Sequence, residues 1–300
     1  MKKRFRVSDS QFALLLNLPA LCVLLVMMAY PVIRGIWISF CECGLTNINA
    51  PTWNNFRNYI KIFESGTVVK YLVTTIKFVF FTVGAQLLLA LPLALLLNSK
   101  LIKGRTIFRG IIFLAWTIPT IVVAVVFRWL FNPNYGVLNW VFMKLGIVET
   151  MGVPWTMNAK LALALIVIAC LWKQLPYMTV MILAGLQSVD NSQVEAAIVD
   201  GASSFQRLRH VILPALRPVL ITTTWLAVVQ DFQQYTLIKN ITGGGPVDAT
   251  TTLSVGVFQE AFLKYNFGTA TAIGVIWMVL LIVITLFTNK WADSASRDLM

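Results

Sequence analysis

Apolar residues fill six long windows of this chain, at approximately 12–33, 71–97, 107–131, 161–186, 214–238 and 267–289, and polar residues are confined mostly to the segments between them. Each window is close to the roughly 20 residues a helix needs to cross a bilayer core. The runs are continuously apolar instead of alternating, so they predict helices and not barrel strands. The expected fold is an all-α, polytopic bundle of six transmembrane helices. Two shorter stretches, WNNFRNYIKIF at 53–63 and GVLNWVFMKLGI at 136–147, have helical spacing and interfacial aromatics. NPNYG at 132–136 and TGGGP at 242–246 read as turns.

Composition strengthens this picture. Of 300 residues, 58% are hydrophobic and 12% charged, which excludes a soluble domain. The net charge of +12 raises the question of nucleic acid. The basic residues are scattered through loops and ends, however, without a stripe of interleaved aromatics, so no nucleic-acid partner is expected. Topology accounts for them better. With a cytoplasmic N-terminus, thirteen of the 24 Lys and Arg residues fall inside and eight outside. The densest inside segments hold Lys2, Lys3, Arg4 and Arg6, then Lys100, Lys103, Arg105 and Arg109. Both ends are therefore placed in the cytoplasm.

The first window lacks a small-x-small cleavage site and is expected to stay attached. Cys22 and Cys170 read as small apolar fillers within spans. Cys41 and Cys43 offer too few ligands for a metal and too short a spacing for an easy mutual disulfide. No repeat or linker divides the chain, so residues 1–300 read as one domain.

One polar stretch, EAAIVDGASSFQRLRHVILP at 195–214, interrupts the hydrocarbon. Ser192 and Glu195 have the spacing of a capping box that would start a short helix. Gly201 permits a bend, and a second short helix over Ser203–Ile212 is expected to end at Pro214. A connector needs far fewer residues, so the length and the small side chains suggest docking to another protein.

This stretch resembles the EAA loop of ATP-binding-cassette importer permeases, through Glu195, Ala196, Ala197, Gly201, Ile212, Leu213 and Pro214. WKQLPYM at 172–178, GLQSV at 185–189, ITGGGPVDATTTLSVGVFQEAF at 241–262 and NFRNYIKIF resemble the carbohydrate branch, relatives of the maltose and glycerol-phosphate permeases. The resemblance implies a type I ABC importer transmembrane domain with N-in/C-in topology in a bacterial or archaeal inner membrane. Residues 187–218 would be the cytoplasmic coupling loop, seated in a separate ATPase subunit by Glu195, Ala196, Ala197, Asp200, Gly201 and Arg207. The implied assembly adds a second homologous permease, two ATPase subunits that bind ATP and Mg, and an extracytoplasmic solute-binding protein. This chain itself contains no GxxxxGK[ST] phosphate cradle, so no cofactor and no enzymatic activity are expected of it.

Charged groups inside spans cost about 2.5–3.5 kcal/mol on insertion scales and are candidates for function. Lys173 and Asp231 are two such groups. They either neutralise each other or face a substrate. Around them lie Gln174, Tyr177, Gln230, Gln233, Gln234 and Tyr235. Amides, carboxylates and aromatic rings suit the hydroxyls and apolar faces of a sugar. By resemblance, Gln174, Tyr177, Gln230, Asp231 and Gln234 stand at substrate-lining positions, with Cys170 and Ala227 one turn earlier. Gln174 and Asp231 replace a glycine and an asparagine of the maltose case, so the same sugar is not implied.

Two other classes fit the sequence less well. An ion-gradient transporter or channel would need more intramembrane titratable groups than Asp231, and a pair of broken helices in matching halves, which the sequence does not display. A membrane enzyme would need paired carboxylates or a metal-spaced cluster, and the single histidine, His210, lies in the polar stretch.

Overall fold

The computed structural model describes residues 9–99, 101–149 and 152–297. Lys2, Lys3, Arg4, Arg6 and Lys100, on which the topology partly rests, lie outside the described residues. The chain forms two compact units, one of residues up to 65 with 257–276 and the other of 66–256 with 277 onward.

In the first unit, α1 (Asp9–Leu24) continues through a π turn (Leu25–Ala29) into α2 (Tyr30–Ser39). Its most apolar stretch is not buried within the chain at all. A small ribbon follows, β1 (Cys41–Glu42) antiparallel to β2 (Thr52–Trp53), and then α3 (Arg57–Glu64). The Asn58 amide fixes this corner by donating to the Ser39 carbonyl at 2.9 Å and the Cys41 carbonyl at 2.8 Å. Phe40 packs on Trp53 and Tyr59 with ring centroids 5.5 and 5.3 Å apart, an aromatic cluster of the kind that settles at a membrane interface.

The second unit contains α4 (Thr67–Asn98), α5 (Arg105–Thr117), α6 (Thr120–Leu130), α7 (Val137–Lys144), α8 (Ala159–Ser188) and α9 (Asn191–Val199). Next, α10 (Ser204–Arg207) runs through a π turn (Leu208–Ile212) into α11 (Leu213–Phe232), followed by α12 (Thr236–Ile241) and α13 (Leu253–Phe258). The last helix, α14 (Phe267–Arg297), is shared between the units. The core lies along α4 and α8, where Ala90, Ala94, Ala162 and Ala169 are fully buried. Small residues let helix backbones approach where lipid supplies no hydrophobic drive for association. The buried Thr75 and Thr82 hydroxyls each donate at 2.7 Å to the carbonyl four residues earlier, so neither hydroxyl is stranded.

The all-α polytopic expectation holds, with three local corrections. Among the described residues five helices are long and apolar enough to cross a membrane, and a sixth crossing exists if α5 and α6 are taken together. That pair is bent by 91° inside the window read as one span, 107–131. Ile118 sits at φ −66°, ψ 132°, the extended conformation imposed by the following Pro119. The window 214–238 is also broken, because α11 stops at Phe232 and the polar residues Gln233 and Gln234 intervene before α12. Pro214 does not end a separate helix. It lies in the first turn of α11, where the preceding π turn accommodates its missing N–H and its ring.

A Cβ on Gly256 of α13 would collide with the Tyr71 ring of α4, which is 2% exposed. Gly256→Val should lower the melting temperature in detergent through an overpacking cost of about 1–3 kcal/mol. An unchanged melt would show that the ring yields freely.

Candidate functional site

Asp231 occupies the last turn of α11 and is 1% exposed. Three side chains donate to its carboxylate. Gln86 of α4 reaches Oδ2 at 3.2 Å, while Gln174 of α8 reaches Oδ1 at 3.1 Å and the Cys170 thiol reaches Oδ1 at 3.4 Å. Gln234, just past the end of α11, points its amide at the Cys170 sulfur, 3.9 Å away. The cluster thus ties α4, α8 and the break after α11 together through neutral donors.

Lys173 does not pair with Asp231. Its ammonium donates to the Trp116 carbonyl at 3.1 Å and the Ile118 carbonyl at 2.6 Å, which end α5 at the 91° bend. Pro119 offers no N–H at this break, and a cation at a helix C-terminus is favourably placed. The lysine therefore clasps the broken span. Tyr177 belongs to the same corner and stacks on Trp116, with centroids 5.5 Å apart and planes 18° from parallel. Of the expected lining residues, Gln174, Asp231 and Gln234 come together, Lys173 and Tyr177 sit at the bend, and Gln230 is exposed.

Gln86 carried no functional reading in the sequence. Gln86 is 1% exposed, and its only signal was a lone amide deep in an apolar run. Cys170, a small filler by type and one turn before the lining residues by resemblance, is a hydrogen-bond donor to Asp231. The breaks at Ile118–Pro119 and Gln233–Tyr235 are interruptions that the continuous apolar windows did not display.

The cytoplasmic segment is built as a unit. Asp190, not Ser192, caps α9, accepting from the Ser192 N–H at 2.9 Å. That bond holds the Asp190 carboxyl below its ordinary range, so the cap's contribution is present above that range and lost as pH falls through the lowered value. Glu195 consequently lies beyond the first turn and has no capping role. Among the described residues its exposed carboxylate has no hydrogen-bond partner. At the other end of α9, the Gly201 N–H bonds the Ile198 carbonyl at 3.0 Å and the Ala202 N–H bonds the Ala197 carbonyl at 2.9 Å. This Schellman motif needs the left-handed φ of +78° that Gly201 supplies.

A capping box between Ser203 and Gln206 starts α10. Arg207 donates to the Ala202 carbonyl at 2.8 Å and to Ser204 Oγ at 3.0 Å, so it secures the turn between the helices. Ala196 and Asp200 are exposed and Ala197 half-buried. Ile198, Phe205 and Val199 are 52%, 68% and 87% exposed, an apolar patch on a polar connector.

A polytopic bundle with broken spans around a buried polar cluster, joined to an exposed cytoplasmic helix pair, has the build of a membrane transport component. Residues 86–298 match the family described as binding-protein-dependent transport system inner membrane component. The trehalose/maltose transport system permease protein MalF of Thermococcus litoralis is 34% identical, over 97% of this chain and 96% of that protein. The sulfoquinovosyl glycerol transport system permease protein SmoG of Agrobacterium fabrum is 32% identical, over 89% and 86% respectively. In fold, the chain is similar to one from the crystal structure of a bacterial alginate ABC transporter in complex with alginate pentasaccharide-bound periplasmic protein. That likeness has a TM-score of 0.78 at 20% identity and covers 94% of each chain. The protein belongs to the binding-protein-dependent transport inner membrane component family, as a multi-pass permease of the type I importer fold. Membership sets aside the ion-gradient and membrane-enzyme readings.

Lys173→Met should lower the melting temperature, because two carbonyls at the bend lose their donor at about 1–3 kcal/mol for each group left unsatisfied. Lys173→Arg should restore part of the loss. Equal melts for all three proteins would show that the bend stands without the clasp.

Proposed function

We propose that this chain is one of two homologous membrane subunits of an ATP-driven importer for a sugar, oligosaccharide or sugar-like polyol. Two ATPase subunits bind ATP and Mg and dock on residues 187–218, and an extracytoplasmic binding protein delivers the substrate. The whole-length relatives named for trehalose/maltose and sulfoquinovosyl glycerol transport support the carbohydrate class. The observation that carries the mechanism is one of connectivity. Gln174 lies on α8, which leads into the coupling segment, and Asp231 lies on α11, which leads out of it.

A displacement of α9 by a closing ATPase pair therefore acts on both sides of the Gln174–Asp231 hydrogen bond. From Ser204 to Phe232 the helix is continuous over 29 residues, about 43 Å at 1.5 Å per residue. Moving α11 against α8 parts the amide from the carboxylate, and sugar hydroxyls take their places. Glu195 and the apolar patch of Ile198, Val199 and Phe205 form the contact with the ATPase, while Arg207 and Gly201 keep the turn rigid.

Glu195→Ala and Gly201→Leu should each reduce substrate moved per ATP hydrolysed on the order of tenfold in reconstituted vesicles, with the protein still inserted. Normal coupling in both would reduce the segment to a connector. A tagged chain that recovers no ATPase subunit in mild detergent would overturn the assembly.

Asp231→Asn should shift the relative uptake of competing sugars by about tenfold, since a carboxylate acceptor becomes half donor. An unchanged uptake profile and rate would remove Asp231 from the substrate path.

A further inference from the structure

The cytoplasmic ends of α4, α5 and α8 and the first residue of α9 enclose a second polar feature, separate from the Asp231 cluster. It is a cleft of about 290 Å³ lined by Arg105, Arg109, Asn98, Gln187 and Asn191, with apolar Leu186 and Val189 behind them. Arg105 and Arg109 are one turn apart on α5 and share a face. Each guanidinium is anchored by one bond to the end of α4, from Arg105 to the Asn98 carbonyl at 3.2 Å and from Arg109 to the Leu97 carbonyl at 2.7 Å.

The anchors leave most of the donors unused, because a guanidinium carries five N–H groups. Arg109 Nε is buried and has no hydrogen-bond partner among the described residues. A buried charged donor without an acceptor is costly, and among the described residues no carboxylate lines the cleft to supply one. Asp190, next to two lining residues, is engaged by the Ser192 N–H of its own helix. Asn98, Gln187 and Asn191 add amides that can donate to the same acceptor.

We propose that this cleft binds a phosphate group, with Arg105 and Arg109 as the charged donors and Gln187 and Asn191 completing the cradle. Two fixed guanidiniums match phosphate oxygens in geometry and charge. The topology places the cleft at the depth of the inner-leaflet headgroups, where basic pockets between helices take anionic lipid. The ligand is thus the phosphodiester of an anionic phospholipid or free phosphate, and either would bridge the bundle to the first turn of the coupling helix.

The test uses the full-length chain in detergent, with lipid retention read by native mass spectrometry. Wild type should retain phosphatidylglycerol over phosphatidylcholine on the order of tenfold. The Arg105→Gln/Arg109→Gln double variant should lose that preference, and Arg209→Gln, an exposed arginine outside the cleft, should keep it. Gln187→Leu, which leaves both arginines on their α4 carbonyls, guards against misfolding of the double variant and should also reduce retention.

Inorganic phosphate at 10 mM, set against chloride of equal ionic strength, separates the sources. Displacement of the lipid and a raised melting temperature identify free phosphate. No displacement, with the phosphatidylglycerol preference intact, identifies the headgroup. Equal retention of the two lipids together with no effect of phosphate on melting would overturn the site.

Discussion

Asp231 is 1% exposed, so bulk water cannot share its carboxylate's charge, and the helices around it are arranged to meet that need. Gln86, Gln174 and Cys170 deliver three donors from α4 and α8 to one side chain of α11. A lysine three positions of chain from Cys170 would seem the cheaper solution, yet Lys173 is turned away to the bend. Neutral donors have a property that a counter-ion lacks. A substrate hydroxyl replaces an amide donor one for one, whereas displacing a buried ammonium would leave two charges unpaired. For the proposed sugar substrate, a cluster of amides about a carboxylate is therefore exchangeable where an ion pair would be locked.

The same obligation governs the broken spans. Non-helical backbone at membrane depth survives only where its polar groups find partners within the protein. At Ile118 those partners come from Lys173. After Phe232 they come from the chain itself, since the Gln234 N–H bonds the Asp231 carbonyl at 3.1 Å and Ser254 Oγ bonds the Gln234 carbonyl at 3.0 Å. Each break lies next to residues of the site, and each is held closed by hydrogen bonds instead of by hydrophobic packing alone.

This division explains what the sequence made legible. The apolar windows, the cytoplasmic polar stretch and its glycine bend follow from properties averaged over many residues, and they were readable. Mean apolarity, however, is blind to a single Pro119, so a bent pair looked like one helix. A similar argument misplaced the end of the helix at Pro214, where a π turn tolerates the proline. Gln86 was silent because its role depends on which neighbour it faces. Lys173 was legible as important but not as a clasp, for the same reason: its partners are main-chain carbonyls 57 and 55 residues away. Asp190 took the capping role from Ser192 because it sits where α9 starts, a boundary the pattern fixes only to within a residue or two.

For the proposed ATPase contact, the construction of the segment between α8 and α11 governs how force would cross it. A flexible connector between α8 and α11 would absorb a push in its own bending. Here α9 is capped by Asp190, closed by the Schellman turn at Gly201, and joined to a helix start that carries its own capping box and the Arg207 brace. Those are local bonds, formed within the segment and independent of what it touches. Its apolar side chains Ile198, Val199 and Phe205 are left outward. A segment that spends its polar groups on internal stiffness and its apolar groups on an outward face has little freedom to deform when that face is loaded. In the proposed mechanism displacement passes to α8 and α11, the two helices joined at Gln174 and Asp231.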